Sequence, residues 1–325
     1  MSRAQLVSVA LASFNGEKYL EQQLRSILSQ ERAPDEVVVS DGGSTDGTVE
    51  LAREILDGAP EGIRTELIAD DARLGVGPNF ARAIAGTRGQ LIALSDQDDV
   101  WHPDRLGRIV GEFADPQVLL ASGNARLVNA EGAPLPLDLF ASLGIGAEEL
   151  AALAGPDAFG LLIRRNLVTG ETVAFRRTLL EAAEPFPSDW VHDEWLAILA
   201  AATGRIVVDR DPLIDYRQHD ANEIGVATPT TRNRIGRMLE PRGDRYVGLE
   251  RRARSLLDRL EAIDAPDRWR ELARRKADFE VVRAGYDRRR IRRLGPVLRG
   301  LRDGSYAELS SQRRLDIARD LLQPE

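Results

Sequence analysis

Cysteine is absent from the 325-residue chain, which excludes disulfides, thiolate nucleophiles and sulfur-ligated metals. Any metal must sit on oxygen or imidazole, and there are only three histidines. No apolar run approaches the roughly 18 residues that a membrane-spanning helix requires. Met1 to Gln5 is too short and polar for a secretion signal, so a cytoplasmic protein is the expectation. An excess of positive charge is also missing: 44 Lys and Arg face 52 Asp and Glu, a net charge of −8, which argues against nucleic acid as a partner. Repeats at a solenoid period are lacking. The remaining balance, 43% hydrophobic and 30% charged, is that of a chain that folds.

What is present is an alternation of strand and helix patterns. Leu6 to Ser13 (LVSVALAS) reads as a buried strand ending at Asn15-Gly16, and Leu20, Leu24, Ile27 and Leu28 follow at helical spacing, with Asn15 suited to cap the helix start. Glu36 to Ser40, the turn DGGSTDG, and Val49, Ala52, Ile55 and Leu56 repeat the unit. Thr65 to Ala69 opens a third unit, leading through Gly75 and Gly77 to Phe80, Ala83 and Ile84, and Leu91 to Ser95 is a fourth strand. Parallel strands need crossovers, so this alternation predicts an α/β fold: a mostly parallel sheet with helices on both faces. Ligands of such sheets bind beyond the carboxyl ends of the strands, where Ser13 to Glu17, Asp41 to Asp46 and Asp96 to Asp99 would converge.

Past Trp101 the pattern loosens. Val118 to Val128 reads as a strand, Pro134 to Pro156 as a loop with a short helix, Glu171 to Phe175 as a strand, and Asp193 to Thr203 as a helix. Arg205 to Val208 and Leu213 to Tyr216 read as two short strands. Residues 1–225 form one expected domain, and 226–325 an Arg-rich helical extension.

The segment SDQDDVW sets Asp96, Asp98 and Asp99 directly after an apolar strand. Two like charges 4 Å apart cost about 4 kcal/mol at an effective dielectric of ~20, so the group needs a cation, protonation or exposure. Magnesium and manganese prefer oxygen ligands and share their shell with substrate phosphates. A nucleotide diphosphate would complete such a shell. A solvated acidic turn is the alternative that the triplet alone leaves open.

These residues resemble the N-terminal signature of the family 2 glycosyltransferases. The likeness runs through VSVALASFNGEKYLEQQLRSILSQ, DEVVVSDGGSTDGT, RLGVGPNFARAI, GQLIALSDQDDVWHPDRL, HDEW and PLIDYRQH, over roughly residues 5 to 225. Bacterial rhamnosyltransferase-like members are the most similar in pattern. The resemblance implies the GT-A fold, an Asp-x-Asp pair holding Mn2+ or Mg2+, and a dTDP- or UDP-linked sugar donor. By motif position Asp98 would be the principal metal ligand, and Asp96 would meet the metal or the nucleotide ribose, with Gln97 between them in the nucleotide-sugar site. Ala12, Ser13 and Phe14 would line the base pocket, with Asn15 and Glu17 in the adjoining loop. One departure is Asp41-Gly42, where family members commonly carry two acidic residues, the second reading the base.

Inverting sugar transfer needs a carboxylate that takes the acceptor hydroxyl's proton as its oxygen attacks the anomeric carbon. The resemblance assigns that role to Asp193 of HDEW. Burial behind Trp190 and Trp195 would raise its pKa and strengthen it as a base, whereas helix capping is the plainer alternative. His219 would add an imidazole to the metal or a donor to the phosphates, and Arg217 would pair with phosphate. Gly75, Gly77 and Asn79 suggest a turn into a helix N-terminus near the donor. His102, His192 and Trp101 read as packing residues.

Leu249, Leu256, Leu257 and Leu260 recur at helical spacing among the C-terminal arginines. That stretch is read as a solvated face, as a peripheral membrane surface for anionic lipid or a lipid-linked acceptor, or as packing between copies in a homo-oligomer. The acceptor itself is expected to be a glycan or a lipid-linked glycan. Two other functions stay open: a nucleotidyltransferase acting on a sugar phosphate, which SFNGEKYL disfavours for want of clustered Gly and Lys, and a catalytically silent sugar-nucleotide-binding protein.

Overall fold

The computed structural model describes residues 5–70, 72–219 and 241–324. The domain boundary expected at 225–226 lies outside the described residues, as does the start of the Arg-rich stretch. The chain divides into two compact units, Met1–Pro156 with Leu167–Val226, and Asp157–Asn166 with Ala227–Glu325. The second unit thus takes a short piece from the middle of the chain.

The first unit begins with a strand–helix alternation: β1 (Val7–Ser13), α1 (Leu20–Leu28), β2 (Glu36–Asp41), α2 (Thr48–Asp57), β3 (Arg64–Ala69), α3 (Val76–Gly86) and β4 (Leu91–Ser95). Every residue of β2 and β4 is buried, as expected of strands covered on both faces. There follow β5 (Val100–Trp101), α4 (Arg105–Glu112), β6 (Val118–Val128), β7 (Pro134–Asp138), α5 (Leu139–Ser142) and α6 (Ala147–Leu153). Helix α7 (Ala158–Leu162) belongs to the second unit. Then come a 3-10 turn (Gly170–Thr172), β8 (Ala174–Arg176), α8 (Leu179–Ala183), α9 (His192–Thr203) and β9 (Arg205–Arg217).

Among the described residues the strands form one mixed sheet in the order β3-β2-β1-β4-β8-β6-β9-β5, with β7 paired to β6. Strands β3, β2, β1 and β4 run parallel, and β8 pairs antiparallel with β4 and β6. The chain winds outward from β1 through β2 to β3 and returns to the other side of β1 with β4. That reversal opens a crevice beyond the carboxyl ends of β1 and β4. The apolar faces of β1, β2 and β4 pack with Leu20, Leu24 and Ile27 of α1 and Ala52, Ile55 and Leu56 of α2 in one core cluster.

Three local expectations are corrected. Asn15 does not cap α1, which begins at Leu20 after Tyr19; Asn15 has φ 48°, and its side-chain oxygen accepts from the N–H of Thr45 at 2.9 Å. The expected strand from Glu171 is a 3-10 turn at its start, because β8 begins only at Ala174. The two short strands expected after Thr203 are one, β9, which bridges the Asp209–Asp211 stretch through a register shift against β6.

The second unit is helical: α10 (Arg245–Ala262), α11 (Asp267–Ala284), α12 (Arg290–Arg302), α13 (Ser305–Leu309) and α14 (Arg314–Leu322). Its interior is unusually charged. The buried Arg283 lies 3.0 Å from Glu280 and 2.8 Å from Asp320, and Tyr306 and Tyr246 donate to Asp320 at 2.6 and 2.8 Å. Phe279, Tyr286, Val297, Tyr306 and Leu309 surround this network. Among the described residues no helix is long and apolar enough to cross a membrane.

Candidate active site

The loops after β1 and β4 are locked together by one side chain. Gln97 accepts from the N–H of Phe14 at 2.8 Å and donates to its carbonyl at 3.0 Å. Gly16 makes room for this, since a Cβ there would fall 2.1 Å from Gln97 Oε1. Asn79 ties β1 to β2, donating to the Ser13 carbonyl at 2.9 Å while its oxygen accepts from Ser40 at 2.6 Å.

A cleft of about 720 Å³ opens beside these loops. Ala12, Ser13, Phe14, Asn79, Asp96, Gln97 and Asp98 line it, and so does Asp193. Residues 97 positions apart, Asp96 and Asp193, therefore share one cavity. Asn15, Glu17, Asp41, Arg217 and His219 do not line it. Glu17 accepts from the Gly47 N–H at 3.2 Å. The Asp41 carboxylate takes hydrogen bonds from Ser13, from the backbone of Gly43 and Ser44, and from the Ser44 hydroxyl, so it is engaged in building its own turn.

Arg217 departs from expectation. It is buried, and its guanidinium donates to the carbonyls of Asp98 and Ala130 and to Gln22 at 2.8, 3.1 and 2.8 Å, while its ring-facing side lies 4.8 Å from the Tyr19 centroid. Those bonds fix the Asp98 backbone instead of facing a phosphate. Its neighbour His219 has Nε2 2.8 Å from Asp98 Oδ2 and stacks on Tyr19 at 4.8 Å. Arg217 at the end of β9 and His219 just past it thus hold the main chain and the carboxylate of Asp98.

Among the lining residues that sequence reading did not place in the site, Glu171, Arg73 and His192 bring acid, cation and imidazole. Glu171, in the 3-10 turn, is buried with Oε1 lacking a hydrogen-bond partner, and its pKa is driven up by burial and then by Asp96 and Asp193. Arg73 is exposed in the loop before α3, its guanidinium 5.1 Å from the Phe14 ring. His192, expected only to pack, lines the cleft with neither ring nitrogen hydrogen-bonded; it stacks on Phe80 at 4.0 Å, and burial lowers its pKa to about 3, so it is neutral. Arg73 could have been noticed as the cation leading into the Gly75-Gly77 turn. Glu171 had no comparable signal.

Asp193 sits in the first turn of α9 without capping it: Val191 is the N-cap residue, and Asp193 Oδ1 accepts from the next N–H at 2.7 Å. Burial pushes its carboxyl up to about 7, with the nearby Glu194 adding to the rise. Asp99 points elsewhere. It is fully buried, its pKa raised by burial and by Asp98, Glu171 and Asp96, and Oδ2 has no hydrogen-bond partner. A buried cation that acts on this group is Arg105, which donates to the Glu171 carbonyl at 2.7 Å and lies 4.1 Å from the Trp101 ring centroid. Burial lowers the Arg105 pKa to about 9, and Asp99 and Glu171 act against that fall.

The donor set is thus carboxylate oxygen with an imidazole at hand, the chemistry that suits magnesium or manganese. Among the described residues no group of three His, Asp or Glu is gathered that could hold a metal by itself. A cation here would draw on Asp96 and Asp98 and leave coordination positions to phosphate and water, which is the usual habit of magnesium.

A second, more apolar groove of about 1140 Å³ shares Gly75, Val76, Val191 and His192 with the cleft. Pro78, Pro185, Phe186 and Trp190 lie along it.

The family model for glycosyl transferase family 2 matches residues 8–177, more than half of the chain. The chain belongs to this family. An uncharacterized glycosyltransferase of Nostoc sp. is 28% identical over 227 residues, covering 66% of this chain and 66% of the relative. The dTDP-rhamnosyl transferase RfbG of Shigella flexneri is 26% identical over 229 residues, covering 66% and 73%. The chain therefore spans about two thirds of the length of these curated relatives. Among solved structures, the mannosyltransferase PcManGT of Pyrobaculum calidifontis, in complex with GDP-Man and Mn2+, superposes with a TM-score of 0.53 at 21% identity, covering 98% of this chain and 86% of that one. TarS 1-349 of S. aureus in complex with UDP-GlcNAc gives 0.54 at 17% identity, covering 97% and 89%. At those identities the likeness speaks for the fold, and this family 2 member has the GT-A fold.

Proposed function

We propose that the protein transfers a sugar from a nucleoside-diphosphate donor to an acceptor hydroxyl with inversion at the anomeric carbon. The observation that carries this reading is that Asp96, Asp98 and Asp193 line one cleft. The nucleotide lies along Ala12, Ser13 and Phe14, a surface kept in shape by Gln97 and Asn79. Arg73 supplies the positive charge facing the diphosphate, the task expected of Arg217. Asp96 and Asp98, the latter oriented by His219, would hold Mn2+ or Mg2+. When bound, the cation neutralises charge on the departing diphosphate.

Asp193 takes the proton from the acceptor hydroxyl, whose oxygen forms a bond to the anomeric carbon. The bond from that carbon to the diphosphate oxygen breaks, and the diphosphate leaves with the electron pair. A carboxyl whose pKa is near 7 is matched to this exchange at neutral pH. His192, neutral and without a hydrogen-bond partner, faces the junction between cleft and groove, where it can donate to or accept from a sugar hydroxyl. The apolar groove receives the acceptor, a glycan or lipid-linked glycan, with Trp190 as an aromatic platform. The first donors to try are dTDP- and UDP-sugars, dTDP-rhamnose foremost, because a dTDP-rhamnosyl transferase is among the relatives.

Thermal shift with a panel of sugar nucleotides, with and without manganese, followed by turnover of the best ligand, tests the reading. A manganese-dependent rise for one nucleotide class and release of its diphosphate are expected. No response to any sugar nucleotide would defeat the reading.

A further inference from the structure

Helix α12 has one face buried in the helical unit and another that is left exposed among the described residues. Arg293, Val297 and Gly300 are the buried residues. Arg293 donates to the Gln323 carbonyl at 2.8 Å, and Gly300 lies so close to Tyr306 that a Cβ there would come within 3.1 Å of the ring. The uncovered face carries Ile291, Leu294, Leu298 and Leu301, exposed by 71%, 41%, 49% and 44%. Steps of three, four and three residues align these side chains in a single stripe. Single exposed apolar residues are ordinary on protein surfaces, but a contiguous stripe marks a contact.

The charge beside the stripe says which contact. At about 100° per residue, Arg302 lies at the border of the stripe that faces away from the buried side, about 20° past Ile291, and Arg299 and Arg292 follow about 80° and 100° past it. Arg288, Arg289 and Arg290 are exposed at the helix start, and α12 contains no acidic residue. The acids at its two ends are engaged, Asp287 by Arg292 at 3.1 Å and Asp303 by Ser305 at 2.6 Å. This concentration of positive charge stands on a chain whose net charge is −8.

We propose that α12 seats this face on an anionic phospholipid surface, with Ile291, Leu294, Leu298 and Leu301 entering the headgroup boundary and the bordering arginines meeting lipid phosphates. A basic helix with an apolar stripe is the form that lies in the plane of a membrane. Two copies of the helix set face to face would bring arginine against arginine, whereas a phosphate layer supplies the counter-charge. Thirteen residues, five of them arginine, are too short and too charged to span. The surface stands apart from the sugar-transfer reading, because vesicle binding is measured without turnover.

The test is co-sedimentation of the full-length protein with vesicles of phosphatidylcholine alone or of phosphatidylcholine mixed with phosphatidylglycerol. The expected result is at least tenfold tighter binding to the anionic vesicles, weakening as salt rises. Arg299→Gln with Arg302→Gln should weaken that binding roughly thirtyfold, at ~1 kcal/mol for each arginine. Leu294→Ser with Leu298→Ser should weaken it at least tenfold. All four side chains are exposed, so an unchanged thermal melt is expected and would exclude unfolding as the cause. Absence of binding by the unaltered protein, or equal binding by all forms, would overturn the proposal. So would a dimer that the double Leu→Ser variant turns into a monomer without any vesicle binding, which would assign the stripe to a second copy.

Discussion

His219 Nε2 lies 2.8 Å from Asp98 Oδ2 across a separation of 121 positions in the chain. The contact fixes one carboxylate of the acidic loop from just past the end of β9, and Arg217 fixes the main chain of the same residue. If Asp98 holds a cation, loss of this support should weaken binding without abolishing the fold. His219→Ala should reduce manganese-dependent nucleotide affinity about 10- to 100-fold, the usual effect of removing a residue that orients a ligand. Asp98→Ala should remove the manganese dependence altogether. Calorimetric titration with nucleotide, with and without manganese, reads both; unchanged affinity in Asp98→Ala would take that residue out of the metal site.

Asp193 gives a pH dependence whose sign is fixed by its role. As the carboxylate is the active form, turnover should fall about tenfold per pH unit below about 7 and level off above it. Stability runs the other way. The folded carboxyl holds its proton more tightly than an ordinary one at 3.8, so its contribution is full below that value and is lost as pH rises through about 7. Asp193→Asn cannot ionise, and it should therefore melt higher than the native protein at pH 8 and nearly alike at pH 4. A native activity profile flat from pH 5.5 to 8 would contradict the assignment.

Arg105 is the buried cation among buried acids. Replacing it with leucine would leave Asp99 and Glu171 without that charge and the Trp101 ring without its partner. A loss of about 1–3 kcal/mol in urea denaturation is expected, the usual cost of leaving a buried acceptor, here the Glu171 carbonyl, without its donor. Arg105→Lys should recover only part of it, since the planar guanidinium both stacks and donates. A loss well below about 1 kcal/mol would show that the Glu171 carbonyl finds another donor when Arg105 is gone.

Strands β1, β2 and β4 were legible because strands covered on both faces read as unbroken apolar runs. The residues of α9 were legible from their spacing, as was the position of the cleft beyond β1 and β4, since it follows from how parallel sheets are wound. What the sequence hid was decided by contacts distant along the chain. Glu171 looked like the start of a strand, yet the turn at Gly170–Thr172 carries it to Asp96, 75 positions away. Arg217 looked like a free cation, yet the carbonyls around it engage the guanidinium. Asn15 had the chemistry of a cap but adopts a left-handed backbone, an option that asparagine takes more readily than most residues. Single-residue propensities cannot distinguish such cases.

The Gly16 position offers a test of how the proposed nucleotide surface is shaped. A Cβ added there would collide with Gln97, whose amide holds both backbone groups of Phe14. Gly16→Ala should displace that amide and lower nucleotide affinity about tenfold or more, while Gln97→Ala, which removes the same two bonds, should give a loss of similar size. Additive losses in the double variant would show that the two residues act separately.

The most direct test of the account is a comparison of donor binding and sugar transfer in Asp193→Asn. The account predicts nucleotide-sugar affinity within about twofold of native and transfer lowered by roughly 10²–10⁴-fold, the contribution expected of a general base. Transfer at the native rate in that variant would contradict it.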